Sequence, residues 1–230
     1  MTRIVFVHGS VGNAEATWSQ QRPLEQRFDC LFLTRGGYPP GPPLERIDFD
    51  EQADEVAAEL REGDHLVGHS YGGVVSMLAA ARRPVLASLT VNEPPAFGIA
   101  RGEPAVDELL DGFSRVSYAS PQEYLGTFLP LVGSAIVLPD PLPPALEQGG
   151  RAAMVERSPA EAVIPFDELA AAPFPKLVVS GGHHPAFDAV CDVLEARLGA
   201  ERAVLPGAGH SLPRAPGYND VLVDFIERAE

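Results

Sequence analysis

Residues 64 to 82 read Asp64-His-Leu-Val-Gly68-His-Ser70-Tyr-Gly72-Gly73, then Val-Val-Ser-Met-Leu-Ala-Ala-Ala-Arg82, and they constrain the chain more than any other stretch. His65, Leu66 and Val67 form a short buried-strand run, and Val74, Val75, Met77, Leu78 and the alanines an apolar helix. Only a sharp turn separates them. Ser70 sits on that turn between Gly68 and Gly72, where side chains would obstruct the close approach of strand and helix. A fold containing this stretch presents Ser70 at a strand end, just ahead of a helix N-terminus whose free N–H groups favour developing negative charge.

The flanking sequence repeats the alternation. Ile4 to Val7 is a continuous apolar run of the kind buried on both faces of a parallel sheet, and it ends in His8-Gly9-Ser10-Val11-Gly12-Asn13. A helix is expected over 14–27 with Trp18 inward, a strand over 28–33, and an acidic amphipathic helix over 49–61 with Ala53, Val56, Ala57 and Leu60 on one face. A further strand, 86–91, runs into Asn92-Glu93-Pro94-Pro95. The pattern resumes with a strand at 176–180, a helix at 185–198, a strand at 203–205, the loop Pro206-Gly207-Ala208-Gly209-His210 and a closing helix at 218–229. Between 97 and 174 it differs: helices are short and prolines frequent. Val106, Leu109, Leu110, Phe113 and Val116 fall at helical spacing, Ser120-Pro121-Gln122-Glu123 is a capping box, and Ser158-Pro159-Ala160-Glu161 repeats its signature.

Residues 4–97 and 175–228 resemble the α/β-hydrolase family, most strongly in the Gly-x-Ser-x-Gly stretch from Asp64 to Arg82. The resemblance implies a mostly parallel six-stranded sheet with helices on both faces, in the order 2-1-3-4-5-6 and without the family's two leading strands. It also implies a core of 1–97 and 175–230 and a small helical cap inserted at 98–174. Ser70 would be the nucleophile, with the oxyanion held by the backbone N–H of Ser10 or Val11 together with that of Tyr71. A serine hydroxyl is a weak nucleophile near neutral pH and needs a base within hydrogen-bond reach. His210, in a Gly-x-Gly-His loop after the last strand, is the best placed of the six histidines. His8 is read as a brace for its turn and His69 as a packing residue, since neighbours on a turn point apart.

The acid is less direct. The family carries an Asp in the turn after the fifth strand, but here that turn reads Gly181-Gly182-His183-His184-Pro185, with His184 in the acid's place. An imidazole cannot stabilise an imidazolium as a carboxylate does. Glu93, ending the preceding strand, is the first candidate; Asp188, one helical turn on, is the second; a Ser–His dyad is the third. His183 and His184 lack the carboxylate or cysteine set of a metal site, and no phosphate loop or dinucleotide fingerprint occurs, so no metal or cofactor is expected.

A net charge of −15 argues against a nucleic-acid groove or an anionic membrane surface as partner. The expected partner is a small-molecule substrate, and the expected assembly a monomer or homodimer. Cys30 and Cys191 read as reduced buried thiols, and the N-terminus lacks a signal-peptide core, so a cytoplasmic protein is expected. The leading functional expectation is a cofactor-independent serine hydrolase acting on a carboxylic ester, thioester or amide. Phe113, Tyr118, Tyr124, Phe128, Leu129 and Ile136 would line a moderately apolar pocket. Two rivals stand beside it: a lyase, cyclase or cofactor-free oxygenase on the same scaffold, raised by His184, and a binding pseudoenzyme.

Overall fold

The computed structural model describes residues 1–83, 85–115, 118–134 and 136–230. Its strands are β1 (Arg3–Val7), β2 (Asp29–Leu33), β3 (His65–His69), β4 (Ser88–Asn92), β5 (Lys176–Ser180) and β6 (Glu201–Val204). All neighbours pair in parallel, in the order β2-β1-β3-β4-β5-β6. This is the six-stranded α/β-hydrolase arrangement expected from the sequence. The helices are α1 (Ala14–Thr17), α2 (Phe49–Glu59), α3 (Tyr71–Arg82), α4 (Pro104–Ser114), α5 (Pro121–Leu131), α6 (Pro144–Met154), α7 (Phe166–Ala171), α8 (Pro185–Leu198) and α9 (Tyr218–Ala229).

The sheet is covered on both faces. One core joins Val5, Val7, Leu66 and Val91 to α2, α3 and α8; the other joins Ile4, Phe6, Val67 and Val179 to Trp18 and α9. Burying each such aliphatic or aromatic side chain contributes about 1.5–3 kcal/mol, which is why the central strands are apolar on both faces. Parallel strands bring the loops after β1, β3, β4, β5 and β6 to one sheet edge, where ligands of open α/β sheets bind.

Three local expectations change. The helix expected over 14–27 is only α1 followed by a 3-10 helix, Ser19–Gln26, with Pro23 inside it; Trp18 between them is fully buried. Ser120 does cap α5, accepting from Glu123 N–H at 3.2 Å, but Ser158 makes no cap bond and opens only a three-residue 3-10 turn. Cys30 is half-buried rather than buried, Cys191 is buried, and both are free. Burial comes first among the causes that push their thiols up, to about 11 and about 12. Val116 lies outside the described residues.

Candidate active site

Ser70 stands between β3 and α3 with φ 53° and ψ −127°. Such a conformation costs about 1–3 kcal/mol in a non-glycine residue and persists only where its surroundings enforce it. Here they do. A Cβ at Gly68 would lie 2.5 Å from Ser76 Oγ, and one at Gly72 would lie 2.3 Å from the His8 carbonyl oxygen, so strand, helix and the turn after β1 meet without room for side chains. Ser70 N–H donates to Asn92 O at 2.9 Å, and Glu93 N–H to Val179 O at 3.0 Å. The sheet ladder thus continues through both residues.

Three side chains from three loops meet in a line. His210 Nε2 lies 2.9 Å from Ser70 Oγ, and His210 Nδ1 lies 2.7 Å from Glu93 Oε2. All three residues are buried. The other Glu93 oxygen accepts from Gly181 N–H at 2.6 Å and faces His183 Nδ1 at 3.2 Å, at an angle too poor for a hydrogen bond. Burial alone would raise the Glu93 pKa, but its contacts with His183, His210 and Gly181 outweigh that and bring it down to about 2. Glu93 is a fixed negative charge on the far side of the imidazole from Ser70.

The remaining candidates sort by position. His184 does not approach His210: its Nδ1 accepts from Ala186 N–H at 3.2 Å and caps α8, so the residue in the usual acid's place serves the helix instead. Asp188 pairs with Arg202 at 3.4 Å. His69 Nε2–H donates to the His210 carbonyl at 2.8 Å, and burial followed by the nearby His210 lowers its pKa to about 3. His8 Nε2 accepts from Arg35 N–H at 3.0 Å while Nδ1 faces Gly9 O, and burial holds it neutral, well below the ordinary histidine value. Tyr71 opens α3, so its N–H has no acceptor within the helix. Val11 holds φ 72° on the turn after β1. Phe187 covers His210, with ring centroids 4.5 Å apart.

Two chambers meet at Ser70. The larger, about 480 Å³, is lined by Ser10, Tyr71 and four of the six expected residues: Phe113, Tyr118, Tyr124 and Phe128. Leu129 and Ile136 line the smaller chamber of about 270 Å³, with Val11, His69 and His210. Sequence reasoning missed His183 and Glu156. His183 stands beside Glu93 and not in the acid's place, with its Nδ1 3.2 Å from Glu93 Oε1 and its Nε2 facing the Val132 carbonyl. Glu156, also in the wall of the larger chamber, forms a buried pair with Arg35 at 2.7 Å. Nothing local in the sequence marks Glu156; it is brought in by a single bridge between Ile47 and the segment after α6. Glu93, His183 and His210 offer ligand atoms within 4.8 Å of one another, but a cation among them would displace the Glu93–His210 hydrogen bond.

Residues 4–219 match the Alpha/beta hydrolase family. The chain belongs to that family. Over 116 residues it is 33% identical to the pimeloyl-[acyl-carrier protein] methyl ester esterase of Sodalis glossinidius (strain morsitans), a match over 49% of this chain and 45% of that relative. The matched part is therefore under half of the curated relative's length. Among solved structures, Est816, described as an N-acyl homoserine lactone degrading enzyme, superposes with a TM-score of 0.74 at 23% identity, over 98% of this chain and 93% of that one. A thermophilic esterase from Thermogutta terrifontis gives 0.65 at 18% identity, over 100% and 90%. Likeness at these identities carries the fold and not the activity. Among the described residues, no helix is long and apolar enough to cross a membrane.

Proposed function

We propose that this α/β hydrolase is a cofactor-independent serine hydrolase that cleaves carboxylic esters of small, moderately apolar substrates. The observation that carries the reading is the unbroken line from Ser70 Oγ through His210 to Glu93, at 2.9 and 2.7 Å. Ser70 Oγ attacks the ester carbonyl carbon while His210 Nε2 takes its proton. Glu93 keeps the Nδ1–H tautomer and stabilises the imidazolium that forms. The oxyanion is met by Tyr71 N–H and an N–H of the Ser10–Val11 turn. His210 then donates its proton to the departing alkoxide, and water repeats the sequence in reverse to release the acid.

Segment 98–174 serves as the cap, and its aromatic side chains give the larger chamber its apolar wall. The acyl group takes that chamber. The leaving group takes the smaller one, because His210, which must protonate it, opens there. No observation favours the lyase, cyclase, oxygenase or pseudoenzyme readings once a carboxylate faces His210. The test is the intact mass of the protein after exposure to a small fluorophosphonate, beside Ser70→Ala. One adduct on the native chain and none on the variant is expected. No adduct on folded native protein overturns the reading.

A further inference from the structure

The turn after β1 is strained, and the groups that hold it come from elsewhere in the chain. Gly12 N–H donates to Ser10 O at 2.8 Å across Val11, whose φ is 72°. That is a γ-turn of the rare positive-φ kind, and a β-branched residue in it is a steric outlier. With the Ser10 carbonyl turned onto Gly12, the Val11 N–H on the opposite side of the same trans peptide points out of the turn. Strain of this sort lasts only where neighbours over-determine it.

The neighbours can be named. Ser10 Oγ donates to Glu156 Oε2. The other Glu156 oxygen accepts from Arg35 Nη2 and Tyr38 Oη, both at 2.7 Å. Arg35 in turn donates to the carbonyls of His8 at 2.9 Å and Gly9 at 2.8 Å. A Cβ at Gly149 would lie 1.8 Å from the Val11 carbonyl oxygen, so the backbone of α6 rests directly on it. The side chains of Arg35 and Glu156 are 1% and 6% exposed. Buried ion pairs are weak stabilisers compared with apolar packing, so stability alone does not account for one here. Apart from Gln52 and Tyr38, its hydrogen-bond partners are three successive residues of one turn, His8, Gly9 and Ser10.

We propose that Glu156 is a positioning residue: through Ser10 and Arg35 it holds the strained turn so that the Val11 N–H faces the oxyanion. This rests on the serine-hydrolase reading above. The gentlest test is Ser10→Ala, which removes one hydroxyl and leaves both the backbone and the ion pair. On a nitrophenyl ester, kcat falls about tenfold, part of the roughly 100-fold or greater loss that accompanies removal of a whole oxyanion donor. KM stays within about twofold. The Ki of a trifluoromethyl ketone, which forms the oxyanion on binding, rises by the factor by which kcat/KM falls. A purely structural role would not produce that match. Glu156→Gln repeats the effect, and the double variant adds little to either single one, because the two residues act as one unit.

Unchanged kcat and unchanged ketone affinity in Ser10→Ala overturn the inference. So does a raised KM with kcat intact, which would make Ser10 a ground-state contact. A native protein that turns over no ester and takes no fluorophosphonate overturns the hydrolase reading and this inference with it; an active native enzyme indifferent to Ser10→Ala overturns this inference alone.

Discussion

Glu93→Gln is the sharpest perturbation because the surroundings of Glu93 dictate which way the new amide must face. Gly181 N–H is a fixed backbone donor 2.6 Å from Oε1, and it cannot turn away. The Gln carbonyl oxygen therefore takes that side, and its NH2 group meets His210 Nδ1, where Oε2 now stands at 2.7 Å. Two donors cannot share that line, so His210 gives up its Nδ1 proton and carries it on Nε2. In that tautomer Nε2 donates to Ser70 Oγ instead of accepting from it, and the base is lost although every heavy atom stays in place. The same inversion in serine proteases costs about 10⁴ in kcat, or roughly 5.4 kcal/mol of transition-state stabilisation. The assay is initial rates on a nitrophenyl ester, with 15N histidine spectra reporting the tautomer and melting confirming the fold. A folded Glu93→Gln enzyme with less than about a tenfold loss in kcat would refute the reasoning.

Two further outcomes follow from the geometry. His184→Ala removes the cap of α8 and an edge contact with Phe187, so it lowers stability, by about 0.5–2 kcal/mol for the cap, while kcat is retained; loss of turnover with an intact fold would return His184 to the chemistry. Melting temperature should fall on acidification. His8 and His69 are held neutral in the fold, with pKa values below the ordinary histidine value, and take up protons once the chain unfolds. Below about pH 6.5 each then costs about 1.4 kcal/mol of stability per pH unit, until its folded pKa is reached. Glu93, depressed to about 2, adds a loss below about pH 4.3. His183 works in the opposite sense: Glu93 raises its pKa, so its contribution is complete in acid and fades as pH climbs through that raised value. Melting by calorimetry from pH 8 to pH 5 checks the balance, and a temperature that holds or rises would contradict it.

The sheet and the serine turn were legible because both are written locally. The run from Ile4 to Val7 reads as a buried strand and the glycines around Ser70 as a close turn between strand and helix, and the strand order followed from the family resemblance. Glu93 was one of three candidates in the sequence, because it reaches His210 through the pairing of β4 with β5 and through a positive φ of 43° that no local pattern signals. That His183 faces Glu93 while His184 caps α8 was not legible either, since the turn before them runs through Gly182 at a positive φ of 59°. Arg35 and Glu156 lie 121 residues apart, and their pairing depends on a single bridge at Ile47. The helix expected after Asn13 stopped early where Trp18 turned into the core.

That same pairing bears on how a substrate would enter in the serine-hydrolase reading. Arg35 belongs to the loop after β2 and Glu156 to the chain after α6, so swinging the whole 98–174 segment away would pull a guanidinium and a carboxylate apart inside the protein. Parting them would also take from Ser10 Oγ, Arg35 and Tyr38 Oη the Glu156 carboxylate they share. In the serine-hydrolase reading, admission to Ser70 by parting of α4 and α5, with α6 held in place, would leave those bonds intact.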